Sequence, residues 1–274
     1  MQYDIIVIGA GAAGLMAAGT AAEAGASVLL LEANPKAGRK LMITGKGRCN
    51  LTNNTSLEFY LENINPLPKF CLPMFSRFFV KDTLRHFRNI VVPTIEERGR
   101  RIFPRSGRAM DVVDALVSWN TGSGVTIKYG RRVKQLLAGN GALTGVMLES
   151  GSVFSCECCI LATGGRSYPL TGSTGDGYRM ASEAGHRVIP PMPALVPLVT
   201  EGGVAGSMRD LVLKNVEATL YVKGKKQKSR FGELLFTEQG LSGPIILALS
   251  RDAVLALHRG LKTEICIDWQ ARPG

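Results

Sequence analysis

The chain has 274 residues, 45% of them hydrophobic and 20% charged, with a net charge of +11 from 33 Lys and Arg against 22 Asp and Glu. That apolar share is enough for a sizeable core and excludes global disorder; no run approaches the ~18 apolar residues of a membrane span. The basic balance attracts anions of any kind, from nucleotide phosphates to nucleic acid or acidic lipid, and six cysteines without a basic, apolar leader predict reduced thiols in a cytoplasmic protein.

Residues 5–8, Ile-Ile-Val-Ile, are the apolar run of a strand buried on both faces. Gly9, Gly11 and Gly14 follow as GxGxxG, where such a strand turns into a helix. Gly9 makes the tight turn, Gly11 admits a pyrophosphate to the backbone, and Gly14 lets helix and strand approach. The helix runs toward a stop at Gly25, with its free amides and positive dipole end facing the phosphates. Residues 27–31 read as the second strand. Glu32 ends it, 18 positions after Gly14, where a carboxylate accepts hydrogen bonds from an adenosine ribose. An acid there, rather than a small residue followed by Arg, fits NAD or FAD better than NADP. The bland alternative is a glycine turn that only packs a helix on a strand.

After a loop at 34–40, residues 43–53 are dense in glycine, amides and positive charge. They read as a loop laid against a second part of the cofactor, the alternative being a plain surface loop. Residues 66–92 read as largely helical. Their stripe of Phe70, Met74, Phe78, Phe79, Leu84 and Phe87 is assigned to the core, with no cofactor role. A charged turn at 98–108 leads to an amphipathic helix at 109–119, with Met110, Val113, Leu116 and Val117 on one side. Strands at 125–129, 133–137 and 143–148, the last two joined by Gly139-Asn140-Gly141, form a three-stranded antiparallel meander. The meander feeds a buried strand ending in Ala162-Thr163-Gly164-Gly165, at the carboxyl end where open α/β sheets bind ligands.

Four prolines at 190–197 mark a boundary, giving domains 1–192 and 193–274. Beyond it come strands at 216–222 and 232–237 around a lysine-rich turn. A helix at 245–258 follows, with Ser242 as N-cap and Pro244 in its first turn, then a strand at 263–269. Only five residues follow that strand, so the second unit reads as incomplete. Cys156, Cys158 and Cys159 lie on one strand with no second pair or His nearby, so no metal site is assigned. Cys49 reads as a small residue in a tight turn rather than a redox thiol. His86, His186 and His258 read as surface or helix residues, and no catalytic base emerges.

These motifs agree with one another. With Gly9-x-Gly11-x-x-Gly14 and Glu32, GRKLMITGKGRCNLTN (38–53), IFPRSGRAMDVVDAL (102–116), CILATGGRSYPLTGSTGDGY (159–178) and GELLFTEQGLSGPIIL (232–247), the chain resembles the BaiN-like NAD(P)/FAD-dependent oxidoreductases, flavoproteins of the aminoacetone-oxidase type. The resemblance implies an α/β chain: a Rossmann-like FAD-binding domain of the two-dinucleotide-binding type with a β-meander, plus part of a β-rich second domain. It implies extended FAD, with Gly11, Ala13 and Gly14 at the pyrophosphate and Glu32 at the ribose. Val133 would meet the adenine through its backbone, and Lys40, Gly45 and Asn50 would lie along the phosphates and flavin. Ala162, Thr163 and Gly164 would line the cofactor where the central sheet ends. Members resembling this chain run on past its last strand, so it reads as C-terminally truncated.

The function expected is hydride transfer between flavin N5 and a small organic substrate. With a single GxGxxG, NAD(P)H as reductant would dock from outside. Two alternatives stand beside this: a truncated, non-catalytic remnant, and a nucleic-acid-associated flavoprotein. The +11 charge favours the latter; basic clusters without stacking aromatics count against it. No feature fixes an oligomeric state.

Overall fold

The computed structural model describes residues 2–270, so Met1 and the last four residues of the expected second domain lie outside it. The apolar opening run forms β1 (Gln2–Ile8), the glycine turn leads into α1 (Ala12–Glu23), and β2 (Val28–Leu31) follows with all four residues buried. β1 and β2 pair in parallel, Ile5 opposite Val28 and Ile8 opposite Leu31. Because side chains alternate along a strand, β1 serves two cores. Val7 faces a cluster with Leu15, Ala18, Val112 and Leu116, whereas Ile6 and Ile8 face one with Val146, Leu148 and Met180.

The next stretch is more broken than its composition predicts. The loop at 43–53 contains the end of a short helix, α2 (Arg39–Ile43), a 3-10 turn at 44–47, and the two-residue β3 (Thr52–Asn53). The expected helix at 66–92 is not continuous. After α3 (Leu57–Asn63) come a 3-10 turn at 68–71, the single-turn α4 (Leu72–Phe75) and α5 (Val80–Asn89). Pro66, Pro68 and Pro73 deny the helical ladder its donors there, so only short turns form. The stripe assigned to the core is not one: Phe87 is 8% exposed, but Phe70 is 76%, Met74 52% and Phe78 44% exposed.

β4 (Thr94–Glu97) and β5 (Arg101–Pro104) form a small antiparallel sheet with β3. α6 (Ala109–Gly122) then packs on α1. Its inner face is Ala109, Val112, Val113, Leu116 and Asn120, with the expected Met110 outside. Asn120 sits inside with its Nδ2 donating to Leu15 O at 3.0 Å and Leu116 O at 2.8 Å, while its buried Oδ1 has no partner among the described residues.

β6 (Thr126–Lys128) corrects the meander: it pairs in parallel with β2, not with its sequence neighbours. β7 (Val133–Gly139), β8 (Ala142–Leu148) and β9 (Val153–Leu161) make the three-stranded meander instead. β9 does both tasks expected of separate strands. Its first three residues pair antiparallel with β8 and residues 155–161 run parallel to β1, giving the sheet order β6-β2-β1-β9-β8-β7. α7 (Asp176–Glu183) follows the glycine-rich segment after β9.

Contacts divide the chain between Val188 and Ile189. The second unit contains β10 (Leu198–Val199), α8 (Val204–Ser207), β11 (Val212–Val222), β12 (Lys225–Thr237), β13 (Gly240–Ser242), α9 (Pro244–His258) and β14 (Thr263–Asp268). Its antiparallel sheet, β10-β13-β12-β11-β14, buries Ala218, Leu220 and Leu234 with Ile246 and Leu249 of α9. Ser242 does not cap α9. It ends β13 opposite Leu235, and Gly243 at φ 93° takes the cap position, with Pro244 in the first turn as expected. Among the described residues no helix is long and apolar enough to cross a membrane.

Candidate functional site

The carboxyl ends of β1, β2 and β9 open onto a channel of about 650 Å³. The glycine turn shapes its floor by three different demands. A Cβ on Gly9, whose φ is 104°, would lie 2.6 Å from Ala162 O. A Cβ on Gly14 would collide with Gly9 O, so Gly14 belongs to the packing behind the turn and does not line the channel. Gly11 has nothing within 4 Å of where its Cβ would be, so its backbone is open to the channel. α1 starts at Ala12 with no side-chain cap, and its first amides have no helical partner. An uncapped helix start facing an open channel suits a diphosphate group, so the residues present fit the cofactor the motif implies.

Glu32 lies at the channel edge, 7% exposed. Its Oε2 accepts from Ala10 N at 2.7 Å, and its Oε1 accepts from Asn34 N and Asn34 Nδ2, both at 2.7 Å. The carboxylate thus holds the glycine turn in place. Two carboxylate oxygens offer about four acceptor sites, which leaves one for a ligand hydroxyl. Beside it, burial and then the Glu32 charge push the Tyr129 hydroxyl above its ordinary range.

Lys40 lines the same channel, its Nζ donating to Ser173 Oγ at 2.7 Å and Ser167 O at 2.8 Å. Ala13, Val133, Ala162, Thr163 and Gly164 complete the expected residues found there. Gly45 and Asn50 lie off the channel. Gly45, at φ 56°, closes a turn against Phe103 and Asn50 N. Asn50 Nδ2 donates to Thr52 O and Ile102 O, tying the loop to β5.

The sequence reading gave no site role to the far wall, residues 171–181. Asp176, Gly177, Tyr178 and Met180 line the channel, and α7 begins there after Gly175 with no side-chain cap. Arg132 reaches across to an ion pair with Asp176. The signal was present in the TGDG tetrapeptide: a Cβ on Gly177 would strike Thr163 Oγ1, so that glycine lets α7 close onto the end of β9.

A second cavity, about 270 Å³, is bounded by Met16, Cys49, Phe78, His86 and Leu116, and shares Ala12 and Leu41 with the channel. Burial raises the Cys49 thiol above its usual range, the Thr44 hydroxyl only partly opposing it, so it is a packing group rather than a ready thiolate. Burial lowers His86, with the Glu23 charge working against the shift. Its Nε2 is buried without a partner, and its ring sits edge-on to Trp119 at 4.5 Å.

Comparison with known proteins gives a family match over most of the chain. A profile described as "HI0933-like protein Rossmann domain" matches residues 3–225, and "HI0933-like protein barrel and H2TH domain" matches residues 192–272. The ribosomal RNA dihydrouridine synthase of Escherichia coli K12 is 32% identical over 253 residues, covering 91% of this chain and 60% of that protein. The 3-dehydro-bile acid delta(4,6)-reductase of Clostridium scindens is 32% identical over 270 residues, covering 96% of this chain and 63% of that protein. The chain therefore spans a little over three-fifths of the length of the latter. Among solved structures, the open conformation of a flavocytochrome c3 fumarate reductase superposes with a TM-score of 0.55 at 19% identity, covering 78% of this chain and 47% of that one. At that identity the likeness concerns the fold alone.

Proposed function

Because this chain belongs to the HI0933-like family of FAD-dependent oxidoreductases, we propose that it holds FAD in the channel and serves the reduction of a carbon–carbon double bond. The observation that carries this is the uncapped start of α1, with Gly11 open to a channel of about 650 Å³. The amides at Gly11 and Ala13 meet the pyrophosphate, Glu32 the ribose, and the Val133 backbone the adenine. Lys40 and the run Ala162-Thr163-Gly164 lie toward the flavin, while Gly14, Gly45 and Asn50 support the wall from behind. We assign these roles within a nucleotide domain of residues 1–192 and leave 193–274 to a second domain.

Bound flavin supplies hydride at N5; the chain supplies position and local charge. The double bond is suggested by the relatives' names, since dihydrouridine is uridine with one ring double bond saturated and a delta(4,6)-reductase acts on double bonds. NAD(P)H reaches the flavin from solution, the chain having one GxGxxG. A yellow protein after FAD addition, bleached by NADH or NADPH and recoloured by an enone, is the expected result. A protein that stays colourless with saturating FAD overturns the reading.

A second reading, in which the double bond belongs to an RNA base, is favoured by the +11 charge and by the surface position of Phe59, Phe70 and Phe78.

A further inference from the structure

Extending that second reading, we propose that residues 57–81 form a docking surface for single-stranded RNA. Phe59, Phe70 and Phe78 are its stacking platforms, and Lys69, Arg77 and Lys81 its phosphate contacts.

The charge of the molecule is unevenly spread. Residues 36–108 contain 15 Lys and Arg against 5 Asp and Glu, a local excess of +10 in a chain whose total is +11; within them residues 57–81 hold Lys69, Arg77 and Lys81 against Glu58 and Glu62, so most of that excess flanks the surface. Within that stretch, large apolar side chains stay in solvent: Phe59 is 52% exposed, Phe70 76% and Phe78 44%. Two of the three stand directly beside a cation in sequence, as Lys69-Phe70 and Arg77-Phe78, with Lys81 three residues on. Those three cations are exposed, and none has an acidic partner within ion-pair distance among the described residues. Sequence-tolerant binding of single strands needs this pairing, an aromatic face for each base beside positive charge for the backbone.

The same segment contains a packed aromatic cluster, in which Tyr60, Phe75 and Phe79 interlock with ring centroids 5.1–5.8 Å apart. Phe78 also borders the 270 Å³ cavity that shares Ala12 and Leu41 with the channel. A cavity of ~150 Å³ admits one benzene-sized ring, so a pyrimidine drawn off Phe78 has room within reach of the channel.

The test is fluorescence anisotropy of the full chain with a labelled, uridine-rich single-stranded RNA of about 16 nucleotides, across a salt series. Phe70→Ala and Phe78→Ala are each expected to weaken binding about ten-fold. Lys69→Ala with Arg77→Ala should lower the slope of log affinity against log salt by about 1.4, ~0.7 for each phosphate contact. Lys225→Ala with Lys226→Ala, on the hairpin of the second unit, should cost less than either aromatic change. The proposal is overturned if the aromatic variants bind like the parent, or if the hairpin variant loses as much, since binding then follows net charge. It is also overturned if Phe70→Asp splits an oligomer on gel filtration while RNA affinity stays the same, which makes the surface a protein interface. FAD absorbance of the same samples keeps the two readings apart. Yellow protein without RNA binding removes only the docking surface, and RNA binding by colourless protein removes only the flavin assignment.

Discussion

At the turn between β1 and α1, glycines sit where a Cβ would strike backbone or where the channel must stay open. In the segment from α3 to the start of α5, large aromatic side chains sit where nothing covers them. Both stretches have a pronounced sequence signature, yet only the first says where its atoms go. A glycine requirement is local: it is set by the φ of one residue and by neighbours a few ångströms away. An aromatic stripe states only that apolar area exists. Which partner removes that area from water depends on the rest of the fold, or on another molecule.

The largest expected effect separates two members of that one stripe. Phe87→Ala should cost about 3–5 kcal/mol in urea unfolding, because Phe87 fills the core between α5 and α6. Phe70→Ala should stay within about 0.5 kcal/mol, as expected of an exposed position. Equal losses would break the distinction. Next, Gly14→Ala should cost about 3 kcal/mol and abolish visible flavin absorbance, because its Cβ can be accommodated only by moving the Gly9 carbonyl. Glu32→Ala should then cost about 2 kcal/mol, since it leaves Ala10 N and the Asn34 donors without their acceptor, and should weaken FAD retention in a dilution assay.

The smallest effect is one of pH. His86 is half-buried, and burial lowers its pKa from 6.5, so the unfolded chain binds its proton more readily than the folded one. Stability is full above about pH 6.5 and falls as pH drops below that value. His86→Phe should flatten that acid limb in melting curves taken from pH 7 to pH 5. An unchanged limb would show that another group sets it.

The Rossmann-like unit was legible because its signals are short-range: an apolar run, three glycines at fixed spacing, an acid 18 residues on, and a second run ending in glycines. What escaped was pairing at a distance. Nothing within residues 125–129 says that β6 will lie beside β2 rather than β7, because parallel strands have no turn between them to announce the match. Nor could the strand that ends at the channel be recognised as beginning in the meander, since each part has the pattern of its own neighbourhood. Ser242 looked like a cap because Ser-Gly-Pro precedes an apolar helix; its β13 pairing with Leu235 claims it first. At the site, residues carried by a glycine were found and those carried by an ion pair, Arg132 and Asp176, were not, because a charge gives no address for its partner.

The double membership of β9 has a mechanical consequence. One continuous rod joins the turn at 148–152 to the floor of the channel at Ala162, paired with β8 over its first three residues and with β1 from Ser155 to Leu161. The meander cannot peel away by itself without loosening the backbone that Gly9 rests on. Fluctuations at an outlying loop and at the nucleotide turn are thereby bound into one cooperative opening, so this part of the molecule yields as a block and does not fray strand by strand.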